Sequence, residues 1–205
     1  MTDNYLKIVR DKLKSLYSNL PPTLETDLPG SKAGNHFEFD AFGRRCQIRP
    51  DGIALDGEGP NSVLGILISL YALHANSNPL VLEPLKAFKD FPNSMPYAGA
   101  FTTHTQNILV PCVGKIKERS ETIINSLNGR DVSSIFGGDF SFLLNPLPKI
   151  ALCYIFHEAD DDFPASVTCL YSNNAVLFLP IDGLADVGEY TSRQISNFLD
   201  TNARA

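Results

Sequence analysis

The chain has 205 residues, 43% of them hydrophobic and 20% charged, the profile of one soluble globular unit with ample apolar content for a core. Such a length buries roughly 70% of the surface that the unfolded chain exposes, so neither disulfides nor a structural metal is required to hold it. Seventeen basic side chains against twenty-three acidic ones leave a formal net charge of -6, which excludes the broad positive surface that duplex nucleic acid demands.

In chain order, Leu6, Val9, Leu13, Leu16 and Leu20 recur every three or four residues and predict an amphipathic helix that Pro21 and Pro22 stop. Charged residues from Asp3 to Lys14 interrupt its apolar positions, so it is not read as an export signal and the protein is expected to be cytoplasmic. A polar connection from Thr23 to Asn35 leads to three short segments, Phe37 to Phe39, Arg44 to Ile48 and Ile53 to Leu55. Phe42-Gly43 and Pro50-Asp51-Gly52 punctuate them, as in an antiparallel meander. Val63 to Ala75, a 13-residue apolar run, predicts a buried helix too short to span a membrane.

Beyond a Pro-interrupted stretch, helices are expected from Tyr97 to about Val110 and from Lys115 to Leu127, the second closed by Asn128-Gly129. Strands follow at Phe140 to Leu144, Ile150 to Phe156 and Ser166 to Tyr171. A short turn near Ala175 precedes a last helix from Gly183 to Leu199 that buries Leu184, Val187, Ile195, Phe198 and Leu199. The fold class is α+β, an antiparallel sheet packed against helices. The expected organisation is an N-terminal helix and connection over 1–36, then a single domain over 37–200. Cys46, Cys112, Cys153 and Cys169 form no C-x-x-C pair and are read as reduced core residues.

The densest polar feature is Glu158-Ala159-Asp160-Asp161-Asp162-Phe163-Pro164. It is read either as a site for a cation or basic partner, or as a solvated turn in which one Asp bonds its own backbone. Pro164 restricts the backbone before it, Phe163 is expected to anchor the turn in the core, and Asp160 or Asp162 would then face a groove under Tyr97 to Gln106. His104 is the histidine expected to reach a ligand there; His36, His74 and His157 are read as structural, and no metal set is assigned. Phe88, Phe91, Tyr97 and Phe101 are either the wall of that groove or plugs that seal a loop to the core. Gly137-Gly138-Asp139-Phe140 is similar to the active-site hairpin of diguanylate cyclases but lacks their second acidic residue, so it is read as a turn.

Several of these pieces together resemble the bacterial and archaeal family called domain of unknown function 3786. They are Phe42-Gly43-Arg44-Arg45-Cys46-Gln47-Ile48 leading to Pro50-Asp51-Gly52, Leu67 to Leu73, and Pro79-Leu80 followed by Ala87-Phe88-Lys89. Tyr97 to Phe101, the Gly137-Gly138-Asp139 turn, Leu147-Pro148 and Asp160 to Ala165 before Cys169-Leu170-Tyr171 continue the likeness in order. The resemblance implies a single domain and a neighbourhood of anaerobic redox or corrinoid-dependent one-carbon metabolism. Some relatives carry a four-cysteine iron-sulfur module. The cysteines of this chain lack that spacing, so no cluster is expected and the cofactor is left unassigned.

Three functions fit these observations. The first is a noncatalytic binding or accessory module that holds a small molecule or protein partner with Tyr97, Phe101, His104 and the turn Asp160, Asp161, Asp162 and Phe163. The second is an enzyme in which those aspartates act with His104 or His157. The third is a structural interaction domain. Neither nucleic acid nor membrane is an expected partner.

Overall fold

The computed structural model describes residues 2–59 and 62–200. Helix α1 (Thr2–Ser18) turns Val9, Leu13 and Leu16 inward, and Pro21 and Pro22 follow its end as the sequence predicts. A single-turn helix, α2 (Leu24–Asp27), leads into the first sheet, built from β1 (Ser31–Ala33), β2 (His36–Ala41), β3 (Arg44–Arg49) and β4 (Gly52–Leu55). Its order is β1-β2-β3-β4, antiparallel throughout. In β2 and β3 the inward residues Phe37, Phe39, Cys46 and Ile48 alternate with polar ones, and in β4 Ile53 and Leu55 alternate with the small Gly52 and Ala54, the period-two pattern of a half-buried sheet.

On the outer face of that sheet, Glu38 accepts hydrogen bonds from Arg45 Nε at 3.1 Å, Gln47 Nε2 at 2.7 Å and His36 Nε2 at 3.0 Å. The Arg45 bond, then the His36 bond, bring its carboxyl down to about 2 from an ordinary 4.5. A carboxylate with a depressed folded value contributes stability above its unfolded range and loses it as pH falls through the folded one. Glu38→Gln is therefore expected to flatten the acid limb of the stability curve between 4.5 and about 2, measured as urea midpoints against pH.

Helix α3 (Ser62–Leu73) packs along α1 and buries Leu64, Leu67, Ile68, Tyr71 and Ala72. The second sheet has the order β5-β9-β8-β7-β6 and is also antiparallel. Its strands are β5 (Lys86–Ala87), β6 (Gly129–Asp131), β7 (Phe140–Leu147), β8 (Ile150–His157) and β9 (Ser166–Tyr171). Strands β7 and β8 are buried on both faces, which accounts for their nearly unbroken apolar sequences. One face carries Phe142, Leu144, Leu152, Tyr154, Phe156, Cys169 and Tyr171 into the main core, which also takes in Val9, Leu13 and Leu16 of α1. The other face carries Leu143, Ala151 and Cys153 into a smaller cluster, covered by Leu82, Leu85 and Phe136.

That alternation decides the cysteine chemistry. Cys153 is paired with Leu170 and Cys169 with Tyr154 across β8 and β9, so the two thiols lie on opposite faces of the sheet and cannot bridge. All four cysteines are free, and burial pushes the Cys153 thiol up to about 12, with Cys46 and Cys169 raised for the same reason. Cys112 alone is half-buried rather than buried. Iodoacetamide under native conditions is expected to label Cys112 first and the others only after denaturation, read by peptide mass.

The central third differs from the sequence expectation in detail. Helix α4 (Met95–Phe101) continues as a wider π-helical stretch, Thr102–Asn107, followed by a 3-10 turn at Val110–Cys112. The carbonyl of Thr105 within it accepts a bond from Ser192 Oγ at 2.8 Å, and Ser192 in turn meets Tyr154 Oη at 2.9 Å. The helix expected from Lys115 to Leu127 is two, α5 (Val113–Glu118) and α6 (Ser120–Ser126). At the break, Arg119 Nη1 donates to the Phe198 carbonyl at 2.8 Å, near the end of the last helix, where open carbonyls favour a cation. A short α7 (Ser133–Phe136) caps the smaller core, and α8 (Ile181–Asp200) closes the main one with Leu184, Val187, Thr191, Ser192 and Ile195. Phe198 and Leu199, expected to be buried, are half-buried. Among the described residues no helix is long and apolar enough to cross a membrane.

Candidate functional site

The residues singled out in the sequence do not converge on one cavity. Phe88, Phe91 and Phe101 are buried around Tyr171, with Phe88 and Phe101 stacked at 4.4 Å, so these rings seal the loop to the core. A groove of about 520 Å³ does lie beside them, lined by Phe101, Thr102, Gln106 and Cys169 among others, but Tyr97, His104 and the three aspartates are not in its wall. His104 faces solvent on the π-helical stretch, and Tyr97 is 38% exposed.

The acidic turn requires a correction. Phe163 was expected to anchor it in the core and instead is 71% exposed. The turn needs no such anchor, because it closes on itself. Asp160 Oδ1 accepts from the Asp162 and Phe163 amides at 2.9 and 2.7 Å, and the Asp160 amide donates to the Phe163 carbonyl at 3.0 Å. Asp161 and Asp162 face solvent. The neighbouring carboxylates are also engaged: Glu158 pairs with Lys117, and Asp139 accepts from the Glu158 amide at 2.7 Å. Asp139 thus ties the start of β7 to the end of β8, a structural use of the Gly137-Gly138-Asp139 turn. Among the described residues no group of three or more His, Cys, Asp or Glu is arranged to hold a metal ion.

A different cavity has a more varied chemistry. Between α1, α3 and α8 lies a cleft of about 560 Å³, within the range of small-molecule sites. Helix α8 supplies Asp186, Glu189, Tyr190, Arg193, Gln194 and Asn197, spaced by three and four residues so that they form one stripe beside its core-facing stripe. Tyr5 from α1 and Val63 and Ile66 from α3 face this polar stripe with apolar surface, and Tyr5 and Val63 are 39% and 45% exposed.

Two of these side chains are positioned from behind by the β2–β3 turn. The Tyr190 ring meets Phe42 edge-on at 5.0 Å, and Gln194 Nε2 donates to the Phe42 carbonyl at 3.4 Å. Gln194 Oε1 is buried without a partner among the described residues. Arg193 pairs with Glu189 one helical turn away. Among the described residues Asp186 has no ion pair; its side chain is exposed, yet partial desolvation, then the nearby carboxylates of Glu189 and Asp182, raise its carboxyl above the usual range.

The family model for a domain of unknown function, DUF3786, matches residues 21–194. The chain belongs to this family. No curated protein and no solved structure matches it. In this DUF3786 member the matched span holds Val63, Ile66 and α8 as far as Gln194, whereas Tyr5 and Asn197 lie outside it. The cleft therefore joins the family domain to the helix that precedes it.

The raised carboxyl of Asp186 makes a signed prediction for the DUF3786 chain. A carboxyl whose folded value lies above its unfolded one opposes folding once ionised, and the penalty is relieved as pH falls. Because Asp186 is exposed, water screens most of this penalty, and Asp186→Asn is expected to raise the melting temperature at pH 7 by about 1 °C at most. The gain should vanish at acid pH, where the parent carboxyl is itself protonated. Parallel thermal scans at the two pH values check it.

Proposed function

We propose that this protein is a binding or accessory module that holds a small organic molecule in the α8 cleft. The observation that carries this reading is the juxtaposition of a polar α8 stripe with apolar Tyr5, Val63 and Ile66 across a cavity of about 560 Å³. Apolar walls supply the driving force for an organic body, and a few placed polar groups fix its orientation. The support of Tyr190 and Gln194 by Phe42 strengthens the case, since side chains held in place before binding lose less freedom when a ligand arrives. Asp186, exposed and without an ion pair among the described residues, leaves a carboxylate open to a ligand in the cleft.

Native mass spectrometry of freshly purified protein tests it. The parent chain is expected to retain a small-molecule mass that Val63→Trp, which fills the cleft from its α3 side, does not retain. A mass held equally by both proteins, or by neither, contradicts the proposal.

A further inference from the structure

Building on that reading of the cleft, we infer that its ligand is an organic cation, an ammonium group carried on an apolar body of about the size of one ring. Charge within the cleft is one-sided. Among the described lining residues Arg193 is the one base, and Glu189 already neutralises it at i,i+4 spacing. Asp186 is left with no hydrogen bond or ion pair among the described residues, and its charged neighbours Glu189 and Asp182 are carboxylates too. A bound anion would meet that repulsion with no free base among the described lining residues to offset it. A neutral ligand would leave Asp186, which is exposed, with water alone as its partner and would gain nothing from its charge. An ammonium group satisfies it with a charge-assisted hydrogen bond.

The walls point to the same chemistry. Tyr5 and Tyr190 bring two aromatic rings to the cleft, whose faces attract a cation, and Val63 and Ile66 offer aliphatic surface to the ligand's apolar part. Gln194 is held by its Nε2 bond to the Phe42 carbonyl, and its Oε1, without a partner among the described residues, is buried beneath the cleft surface. The spare capacity open to the cleft is that of the exposed Asp186 carboxylate, an acceptor that an N–H-bearing ligand complements. The overall charge of -6 also favours the approach of a cation.

Three probes of one shape separate the alternatives: phenethylamine, neutral 2-phenylethanol and anionic 3-phenylpropionate, each titrated while backbone amide shifts of α8 are followed by NMR. Phenethylamine is expected to shift those amides and to bind about tenfold more tightly than 2-phenylethanol, the scale of one charge-assisted bond. In Asp186→Asn, a change expected to stabilise the fold, that preference should disappear. Arg193→Gln releases Glu189 from its pair and should tighten phenethylamine binding further. If 2-phenylethanol or 3-phenylpropionate binds in the cleft as well as phenethylamine, or if the preference survives in Asp186→Asn, the inferred charge is wrong while the cleft remains a binding site. If none of the three shifts the α8 amides, the binding reading falls with it.

Discussion

Gly43→Ala is expected to destabilise the protein by about 3–5 kcal/mol, the sum of strain in a left-handed backbone and of overpacking against a fixed neighbour. Gly43 has φ of 73°, and a Cβ placed on it would stand 2.0 Å from the Ser126 carbonyl oxygen at the end of α6. That neighbour is backbone, so no side-chain rotation relieves the clash. The turn would have to lift, and Phe42 would lift with it. Phe42 is buried, its amide donates to the Pro146 carbonyl in β7 at 2.6 Å, and its ring and carbonyl support Tyr190 and Gln194. One methyl group should therefore lower the urea midpoint strongly and also loosen the cleft. Chemical denaturation reads the first effect, and phenethylamine titration of the folded fraction reads the second.

The second large effect is at Gly188, where α8 passes closest to the sheet. An added Cβ would lie 2.6 Å from the Phe101 ring, 2.6 Å from Tyr171 Oη and 3.1 Å from Thr105 Oγ1. Gly188→Ala must push α8 outward or displace Tyr171, whose hydroxyl donates to the Leu184 carbonyl at 2.6 Å. Overpacking of this kind costs about 1–3 kcal/mol, and loss of the buried hydrogen bond adds about 1 kcal/mol more. For a chain of this length that corresponds to a fall of roughly 4–16 °C in melting temperature, measurable by calorimetry. The neighbouring Gly99 has open space where its Cβ would go, so Gly99→Ala is the control that should leave the fold largely unperturbed.

The elements legible in the sequence are those whose burial writes a period into it. Strand β9 alternates Val167, Cys169 and Tyr171 inward against Ser166 and Thr168 outward, and its limits follow from that pattern alone. The meander β2–β4, the doubly buried β7 and β8, and the core face of α8 were readable for the same reason. Strands β1, β5 and β6 were not. Ser31, Lys32 and Ala33 are all exposed, so β1 is held by pairing with β2 rather than by burial and leaves no hydrophobic signature. Edge strands β5 and β6 have two and three residues, too few to show a period.

The cleft was harder to see than the fold. Its polar stripe occupies the face of α8 that a sequence reading assigns to solvent, and its opposite wall comes from Tyr5 and Val63, far away along the chain. A signal was present in part: Tyr190 sits one turn from Asp186 on an otherwise polar face, and Tyr5 and Val63 fall outside the apolar stripes of their helices. The acidic turn drew attention by density of charge, yet charge density also marks a loop that bonds to its own backbone, as Asp160 does. What distinguishes the two is whether a carboxylate is left without a partner beside a cavity, a property of the folded arrangement of α1, α3 and α8.

Crystals soaked with a mixed library of small organic fragments, amines among them, provide the most direct test of the α8 cleft as the site of binding. The account predicts that bound fragments concentrate between Tyr5, Val63 and the α8 stripe, with basic nitrogens placed against Asp186. Fragments gathered instead in the Phe101 groove or at the Asp160 to Asp162 turn, with the α8 cleft empty, would contradict it.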